Sequence, residues 1–238
     1  MFAQRSNQIF HKMLLSSRKV SLHRTKIGQL RTIASNMLAA QYSENSDDVS
    51  VVQVKRIPKP VPGPGQLVVK VHSAAVNPVD VKILKGIPKK AFGWSMPLPF
   101  TPGCDFAGVV DSIHDKDNSN TFAVGERVFA VNWGTRSHQD GNEPAGGAFA
   151  EYILVEAKKV SKIPEGVSFD QAAAVALAGC TAHQATFDAA KLKAGERVLV
   201  LGGPTSVGQL VIQLAKERGA WVATTASTRN LEYVAQFG

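Results

Sequence analysis

The pattern that most limits the fold of this chain lies between residues 197 and 225. Residues 197–201 (RVLVL) are a short apolar run, which is typical of a buried strand. Residues 207–218 have the spacing of an amphipathic helix that ends at Gly219, and residues 220–225 predict a second strand. A strand, a glycine turn, a helix and a further strand form a βαβ unit. The pattern therefore predicts the start of a parallel, doubly wound α/β sheet.

The turn between that first strand and the helix has a spacing that is typical of phosphate binding. It reads Gly203, Pro204, Thr205, Ser206, Val207 and Gly208, with Thr205 where a second glycine usually stands. We expect Gly203 to permit the tight turn and Gly208 to let the helix pack closely on the strand. The positive end of the helix would then hold the pyrophosphate of a dinucleotide. The alternative is a structural glycine turn that binds nothing.

Thr205 departs from the usual glycine pattern, and two consequences are open. Its methyl group could crowd the phosphate, or its hydroxyl and that of Ser206 could donate hydrogen bonds to it.

The end of the second strand predicts which dinucleotide is preferred. A site for NAD places an Asp or Glu about 20 residues after the turn, but no acidic residue lies between Glu217 and Glu232. Ser227, Thr228 and Arg229 stand there instead, and an arginine pairs well with a 2′-phosphate. These residues favour NADPH. The alternative is that Arg229 is a solvated loop charge.

Short strands dominate the sequence before residue 165. Valine-rich runs at 49–54, 66–72, 107–112, 126–130 and 148–155 are separated by Gly, Pro, Asn and Asp. Prolines and glycines over residues 58–65 predict a stiff turn after the first run. The spacing predicts a compact antiparallel barrel or sandwich. An alanine-rich helix then follows over residues 170–191, with Ser168 as its amino-terminal cap.

The net charge of +8 is concentrated at the amino terminus. Residues 1–43 contain seven basic residues and no acidic one, which leaves 20 basic and 19 acidic residues in the rest of the chain. This segment is also rich in serine and has apolar residues at helical spacing. Residues 1–36 are therefore predicted to be a mitochondrial presequence that directs the protein to the matrix. A disordered basic tail, an extension before a start at Met37, and a cytoplasmic location are the alternatives.

The charge does not predict a nucleic-acid partner, because the body of the chain has no basic cluster interleaved with aromatic residues. A stable membrane span is not expected either, since no apolar run reaches about 18 residues.

Seven segments in order resemble the zinc-free quinone oxidoreductase group of the medium-chain dehydrogenase/reductase superfamily. They are residues 61–66 (VPGPGQ), 74–80 (AAVNPVD), 102–110 (PGCDFAGVV), 125–128 (GERV), 146–152 (GGAFAEY), 178–182 (AGCTA) and the glycine turn. Each segment alone is modest evidence, but their order is specific. The basic leader is similar to that of the mitochondrial reticulon-interacting branch.

The resemblance implies the fold and the division into domains. It implies a GroES-like β-barrel catalytic domain over residues 37–165, followed by a Rossmann doubly wound domain that binds NADPH over residues 166–238. Only the first half of that second domain is expected, because members of the group continue beyond Gly238. We therefore expect a fragment with an open sheet edge and an uncovered apolar face. The full-length form is expected to be a homodimer.

The same resemblance argues against a metal. Relatives that use catalytic zinc bind it at positions that fall here near Val79 and Asp80, on Cys104, and near Leu177. Only Cys104 could ligate, and a catalytic zinc needs three protein ligands. Cys104 and Cys180 are instead predicted to be small packing residues.

The resemblance also implies the site residues. Asn77 would lie near the nicotinamide, where it could hold the carboxamide or donate to the substrate oxygen, and Asp80 and Lys82 would lie close by. Lys82 could stabilise an anion, but an ordinary surface ion pair between Asp80 and Lys82 is the alternative. Thr181 matches a position near the cofactor.

These observations predict an NADPH-dependent, zinc-independent oxidoreductase that delivers hydride to a small-molecule quinone or α,β-unsaturated carbonyl. An enoyl-thioester reductase, which uses the same hydride chemistry, is the first alternative. A nucleotide-binding regulatory or interaction protein with little turnover is the second.

Overall fold

The structure of the chain is a computed structural model that describes residues 36–93, 95–114, 121–132 and 146–237. The chain divides into two compact units between Ala173 and Ala174. The sequence predicted a domain boundary after residue 165. The presequence predicted for residues 1–36 lies outside the described residues except for Asn36, so it stays a prediction. Within the described ranges, no helix has the length and apolar content needed to cross a membrane.

The first unit is built on antiparallel strands. In chain order these are β1 (Asn36–Gln41), β2 (Gln53–Pro58), β3 (Gln66–Ala75), β4 (Asp105–Ile113), β5 (Arg127–Val131), β6 (Tyr152–Glu156) and β7 (Val160–Lys162). Strands β1 and β2 pair with each other, and the other five form one sheet in the order β6-β3-β4-β5-β7. Backbone hydrogen bonds also join β1 to residues 149–151, and the antiparallel architecture predicted for this part of the chain is confirmed. The described strands do not close into one continuous hydrogen-bonded ring.

Apolar side chains of the larger sheet make the main core of this unit. The fully buried members include Leu67, Val69, Phe106, Val110, Val128, Ile153 and Val155. Within β3, β4 and β5 the members of this cluster are separated by two or four residues, so their side chains point to the same face of the sheet. Helices α1 (Pro78–Leu84) and α2 (Ile87–Phe92) connect β3 to β4. Ile83 and Leu84 of α1 pack in a second cluster with Tyr42 and Phe100.

Two predicted strands have different boundaries in the structure. Residues 49–51 form one turn of 3₁₀ helix, and β2 begins only at Gln53. The carboxylate of Asp48 accepts hydrogen bonds from the backbone N–H and the hydroxyl of Ser50, at 2.8 and 2.6 Å, so a local turn replaces the start of the strand. Ala148 and Phe149 also lie outside β6, although the sequence predicted them in that strand, because their N–H groups bond to the carbonyl oxygens of Gly103 and Pro102.

The segment of residues 100–104 is buried although it is not a strand. Its backbone groups bond to Tyr42, Asp80, Asn132 and residues 147–149. Buried peptide groups need such partners, because an unpaired one costs about as much as a lost hydrogen bond. Four separate parts of the first unit therefore fix the path of this segment.

Helix α3 (Phe169–His183) continues into a π-helical turn over Gln184–Ala189. Ser168 caps it as predicted, since the Ser168 hydroxyl accepts from Gln171 N at 3.1 Å and the Gln171 side chain accepts from Ser168 N at 2.9 Å.

The second unit contains the predicted βαβ arrangement. Strand β8 (Arg197–Val200), helix α4 (Ser206–Glu217) and strand β9 (Trp221–Thr224) follow in order, and α5 (Leu231–Ala235) comes last. Strands β8 and β9 are parallel, with Val200 opposite Thr224. The core contains Val200, Ile212 and Val234. Leu199 of β8 and the following Leu201 are 62% and 75% exposed.

Gly147 allows us to test how closely residues 147 and 101–103 approach. A Cβ added at Gly147 would lie 2.5 Å from the carbonyl oxygens of Thr101, Pro102 and Gly103. We expect Gly147→Ala to lower the free energy of unfolding of the full-length protein by about 2 to 4 kcal/mol. Gly146→Ala is the matched control, because its Cβ would meet Thr101 Cβ at an ordinary 3.6 Å. Chemical denaturation measures both, and equal effects would contradict the close approach.

Candidate functional site

Asn77 lies where strand β3 ends and helix α1 begins. Its backbone is extended (φ −115°, ψ 155°), and Pro78 supplies a first helical residue whose φ is already fixed. The carboxylate of Asp80, three residues later, accepts from the backbone N–H of Asn77 at 2.8 Å. This reciprocal cap explains why α1 begins here, and it is readable in the sequence Asn-Pro-Val-Asp.

Asp80 also ties α1 to the buried segment that precedes β4. Its second carboxylate oxygen accepts from the backbone N–H of Gly103 at 3.2 Å. Asp80 is only 7% exposed, and this burial raises the pKa of its carboxyl to about 6, although its two N–H donors act in the opposite direction. The alternative of an Asp80–Lys82 ion pair is wrong for these two described residues. Lys82 is exposed, and residues two apart do not face each other on a helix.

The amide of Asn77 faces a second carboxylate. Its Nδ2 donates to Asp105 Oδ2 at 2.9 Å and lies 3.7 Å from the Sγ of Cys104. An amide nitrogen carries two protons, and these two contacts account for both. The structure therefore shows Asn77 directing its NH₂ group into the protein.

Cys104 and Tyr42 are buried beside this cluster. Burial raises the pKa of the Cys104 thiol to about 12, and the charges of Asp80 and Asp105 add to the effect. Burial, followed by the charge of Asp80, likewise raises the pKa of Tyr42 to about 12, and its hydroxyl has no hydrogen-bond partner among the described residues. Cys104 is thus the packing residue that was predicted. The same prediction for Cys180 is wrong, because Cys180 lies on the exposed face of α3.

In the glycine turn after β8, the individual glycines have different roles from those predicted. Gly202 has the positive φ of the tight turn (+80°), whereas Gly203 is required by close approach. A Cβ at Gly203 would lie 2.4 Å from Thr224 Oγ1. The role predicted for Gly208 is confirmed, since a Cβ there would lie 2.3 Å from the carbonyl oxygen of Gly202. The prediction missed Gly202 because its pattern was aligned to start one residue later.

Thr205 is the amino-terminal cap of α4. Its hydroxyl accepts from Gly208 N at 3.0 Å and donates its only proton to the carbonyl oxygen of Gly202 at 2.8 Å. Of the two consequences predicted for Thr205, donation to a phosphate is therefore excluded in this conformation. The Thr205 methyl group lies beside Gly202, 3.4 Å from where a Cβ would stand.

An open cavity of about 380 Å³ lies at this turn. It is lined by Gly202, Pro204, Thr205, Thr225, Ala226, Ser227 and Asn230. Of the residues predicted to bind the cofactor, the structure thus brings Pro204, Thr205 and Ser227 together. Ser206 and Val207 form the first turn of α4. Thr225 and Asn230 were missed, although Thr225 bonds to both Gly202 and Gly203.

The predicted residues Thr228 and Arg229 follow Ser227 in a turn of 3₁₀ helix over Thr228–Asn230. Both are exposed and neither lines the cavity, and Arg229 forms no ion pair with the described residues. Thr181 lies on α3, where its hydroxyl donates to the carbonyl oxygen of Leu177 at 2.8 Å. Within the described ranges, no group of three or more His, Cys, Asp and Glu residues could hold a metal ion.

Comparison with known proteins identifies the family. Residues 63–165 match the family described as Alcohol dehydrogenase GroES-like domain. Human quinone oxidoreductase is 36% identical over 169 residues, which cover 71% of this chain and 46% of the human protein. The structure of the quinone oxidoreductase from Coxiella burnetii superposes with a TM-score of 0.71 at 32% identity, covering 86% of this chain and 61% of that one. The chain belongs to the medium-chain dehydrogenase/reductase superfamily.

Two further relatives are named as reductases, and one similar structure contains NADPH. The 2-methylene-furan-3-one reductase of Solanum lycopersicum is 36% identical over 219 residues (87% of this chain, 52% of the relative). A trans-enoyl reductase of a Penicillium species is 35% identical over 185 residues, which cover 75% of this chain and 49% of the relative. A mycobacterial structure complexed with NADPH superposes with a TM-score of 0.69 at 27% identity, covering 85% of this chain and 56% of that one. The chain spans about half the length of the curated relatives that it matches. The resemblance to the quinone oxidoreductase group is confirmed.

The raised pKa of Asp80 predicts how stability depends on pH. The folded carboxyl holds its proton up to about pH 6, while the unfolded one loses it near the ordinary value of 3.8. Stability from this group is therefore fully present below about pH 4 and is lost as the pH rises through about 6. The loss is on the order of 3 kcal/mol. We expect urea denaturation of the full-length protein to show this fall.

Two variants isolate that effect. Asp80→Asn has no proton to lose, so its free energy of unfolding should fall less than that of the unmodified protein between pH 4 and pH 7. Asp47→Asn, at an exposed carboxylate 3.2 Å from Lys85, should follow the unmodified protein. Parallel pH curves for all three proteins would contradict a raised Asp80 pKa.

Proposed function

We propose that the full-length protein is an NADPH-dependent, zinc-independent oxidoreductase that reduces a quinone or an α,β-unsaturated carbonyl. The observation that carries this proposal is the cavity at the first turn of α4, in a chain of the medium-chain dehydrogenase/reductase superfamily. The amino-terminal end of a helix attracts phosphate, and glycine-lined turns let it approach the backbone. The residues around the cavity therefore fit a dinucleotide.

The pyrophosphate would be held mainly by backbone groups. The first N–H groups of a helix have no partner within the helix, and the cap from Thr205 satisfies that of Gly208. The N–H groups of Ser206 and Val207 are left for the phosphate. Gly203 and Gly208 serve by keeping the turn compact, since a side chain at either position would collide with the protein itself.

The 2′-phosphate of NADPH would meet the residues after β9. Ser227 lines the cavity, and the exposed guanidinium of Arg229 lies two residues further on. An arginine pairs with phosphate through two parallel hydrogen bonds, and no acidic residue between Glu217 and Glu232 would repel it. Both features favour NADPH over NADH. Thr181 stays a prediction as a further contact.

Asn77 would hold the nicotinamide by accepting a hydrogen bond. Its NH₂ group already donates to Asp105 and Cys104, so a contact with the cofactor would use the second lone pair of its carbonyl oxygen, which also takes part in the cap of α1. This favours binding of the carboxamide NH₂ over donation to the substrate. Asp80 supports the backbone of Asn77, and Lys82 stays a prediction as a group that stabilises the developing anion.

When bound, NADPH supplies the hydride, and one further proton, taken from water, completes the reduction to a hydroquinone or a saturated carbonyl. A zinc ion is not needed for this reaction, because no alkoxide has to be stabilised for oxidation. Cys104 is the one cysteine at a metal-binding position of related enzymes, and a catalytic zinc needs three protein ligands.

One assay separates the candidate functions. Full-length protein without residues 1–36 is mixed with NADPH or NADH and with a quinone, an enone or an enoyl thioester. We expect oxidation of NADPH by the quinone or the enone, faster than that of NADH, and unchanged by a chelator. Turnover with the thioester alone would support the alternative that similarity to a trans-enoyl reductase favours. Tight NADPH binding without turnover would indicate a binding protein, and loss of activity with the chelator would overturn zinc independence.

Arg229 gives a separate test of cofactor preference. We expect Arg229→Ala to raise the KM for NADPH about tenfold or more and to leave the KM for NADH unchanged, because only NADPH has the 2′-phosphate. Arg218→Ala is the matched control, since the guanidinium of Arg218 lies over the ring of Phe187 at 4.5 Å. Steady-state kinetics measure both, and an equal change for the two cofactors would refute this role of Arg229.

A further inference from the structure

Helix α2 (Ile87–Phe92) of the first unit is exposed over most of its surface. Five of its six residues are exposed, and only Pro88 is buried. It lies between two glycines in the left-handed region, since Gly86 and Gly93 have φ values of 66° and 74°. Helices in proteins are stabilised mainly by packing an apolar face against the rest of the fold. In the part of the chain that the structure describes, α2 packs little of its surface, so most of it is open to a partner.

The exposed side chains of α2 combine apolar groups with positive charge. Phe92 is 75% exposed, which is the largest exposed fraction of any described aromatic residue, and Ile87 is 39% exposed. Lys89 lies three residues before Phe92, and Lys90 lies three residues after Ile87. Residues three apart are neighbours on a helix surface, so each apolar side chain has a lysine beside it. We call Ile87, Lys89, Lys90 and Phe92 the α2 patch.

The lysines of the α2 patch have no acidic partner among the described residues. Residues 81–93 contain four lysines and no acidic residue. Asp47 pairs with Lys85 at 3.2 Å, so Lys85 is not counted in the patch. Lys89 and Lys90 form no ion pair within the described ranges. The patch therefore presents two uncompensated ammonium groups next to an exposed phenyl ring.

We propose that the α2 patch docks the protein reversibly on the surface of a membrane that contains anionic lipids. Lysine side chains are attracted to the negative headgroups, while aromatic and aliphatic side chains enter the boundary between headgroups and acyl chains. The α2 patch offers both kinds of group on one short helix. The inference is independent of the proposed function, since neither NADPH nor a quinone takes part in the docking.

Other occupants fit the α2 patch less well. A second copy of the chain bound about a two-fold axis would bring the lysines of both patches together, and like charges facing each other oppose association. A nucleic acid is bound through many phosphate contacts, whereas the patch has two lysines. A membrane accounts for both halves of the patch, because it buries Phe92 and Ile87 and attracts Lys89 and Lys90.

Co-sedimentation with lipid vesicles measures this docking. The full-length protein without residues 1–36 is used, because that basic segment would itself attract anionic lipid. We expect it to sediment with vesicles of phosphatidylcholine that contain about one-third phosphatidylserine, and about tenfold less with phosphatidylcholine alone. Added salt should weaken the binding, because it screens the charges of lysines and lipids.

A pair of double variants tests the lysines. We expect Lys89→Gln with Lys90→Gln to weaken binding to the anionic vesicles about tenfold or more. Lys158→Gln with Lys159→Gln is the matched control, because it changes the net charge equally but removes lysines that already pair with Glu156, at 2.8 and 2.7 Å. This control should bind within about threefold of the unmodified protein.

A second pair of variants tests the apolar part of the α2 patch. We expect Phe92→Ala to weaken binding to the anionic vesicles about fivefold or more, because its ring no longer enters the lipid boundary. Val124→Ala, at an apolar side chain that is 65% exposed outside the patch, should leave the binding unchanged. Both positions are exposed, so chemical denaturation should show the same stability for the two variants.

No sedimentation with the anionic vesicles, or equal binding by the α2 variants and their controls, would overturn the inference. Binding to a single-stranded DNA oligonucleotide but not to vesicles, or a dimer that only the α2 variants dissociate, would assign the patch to another partner and overturn it as well. Failure of the protein to oxidise NADPH would overturn the proposed function and leave this inference standing.

Discussion

The first unit depends on hydrogen bonds that pair the buried peptide groups of residues 100–104 with distant parts of the chain. This segment lies in the interior although it belongs to no strand, so each peptide group must find a partner elsewhere. The partners come from Tyr42, Asp80, Asn132 and residues 147–149. Strand β1, helix α1 and the end of β5 are therefore all held by one short stretch of backbone. The close approach at Gly147 follows from the same requirement, since three carbonyl oxygens converge there.

The candidate site of the first unit is a consequence of this arrangement. Asp80 supplies the partner for the Gly103 N–H, and the same carboxylate begins helix α1 by binding the N–H of Asn77. Cys104 and Asp105 follow directly along the buried segment and meet the amide of Asn77. The groups that hold the fold and the groups that orient Asn77 are thus the same. This is why a buried carboxylate with a raised pKa is tolerated here.

In the second unit, close packing depends on glycines, which have no side chain. Gly203 and Gly208 bring β8, α4 and β9 together at distances that no Cβ would allow. The hydroxyl of Thr205 caps α4 and binds the carbonyl oxygen of Gly202, so a phosphate at this turn would have to bind backbone N–H groups. The spacing predicted the glycine turn between β8 and α4, but it assigned the tight turn to Gly203, whereas Gly202 has the positive φ. The pattern alone could not separate a glycine needed for its φ from one needed for its lack of a side chain.

The sequence by itself determined the elements whose causes are local. The apolar run and amphipathic spacing defined β8 and α4, the pair of Ser168 and Gln171 capped α3, and the order of seven segments identified the superfamily. Tertiary structure alone decided that Asp80 is buried, that Asp105 faces Asn77, and that residues 148 and 149 leave their predicted strand. The physical reason is that these features arise from pairing between distant segments. Which buried peptide group or amide needs a partner is known only once the chain has folded.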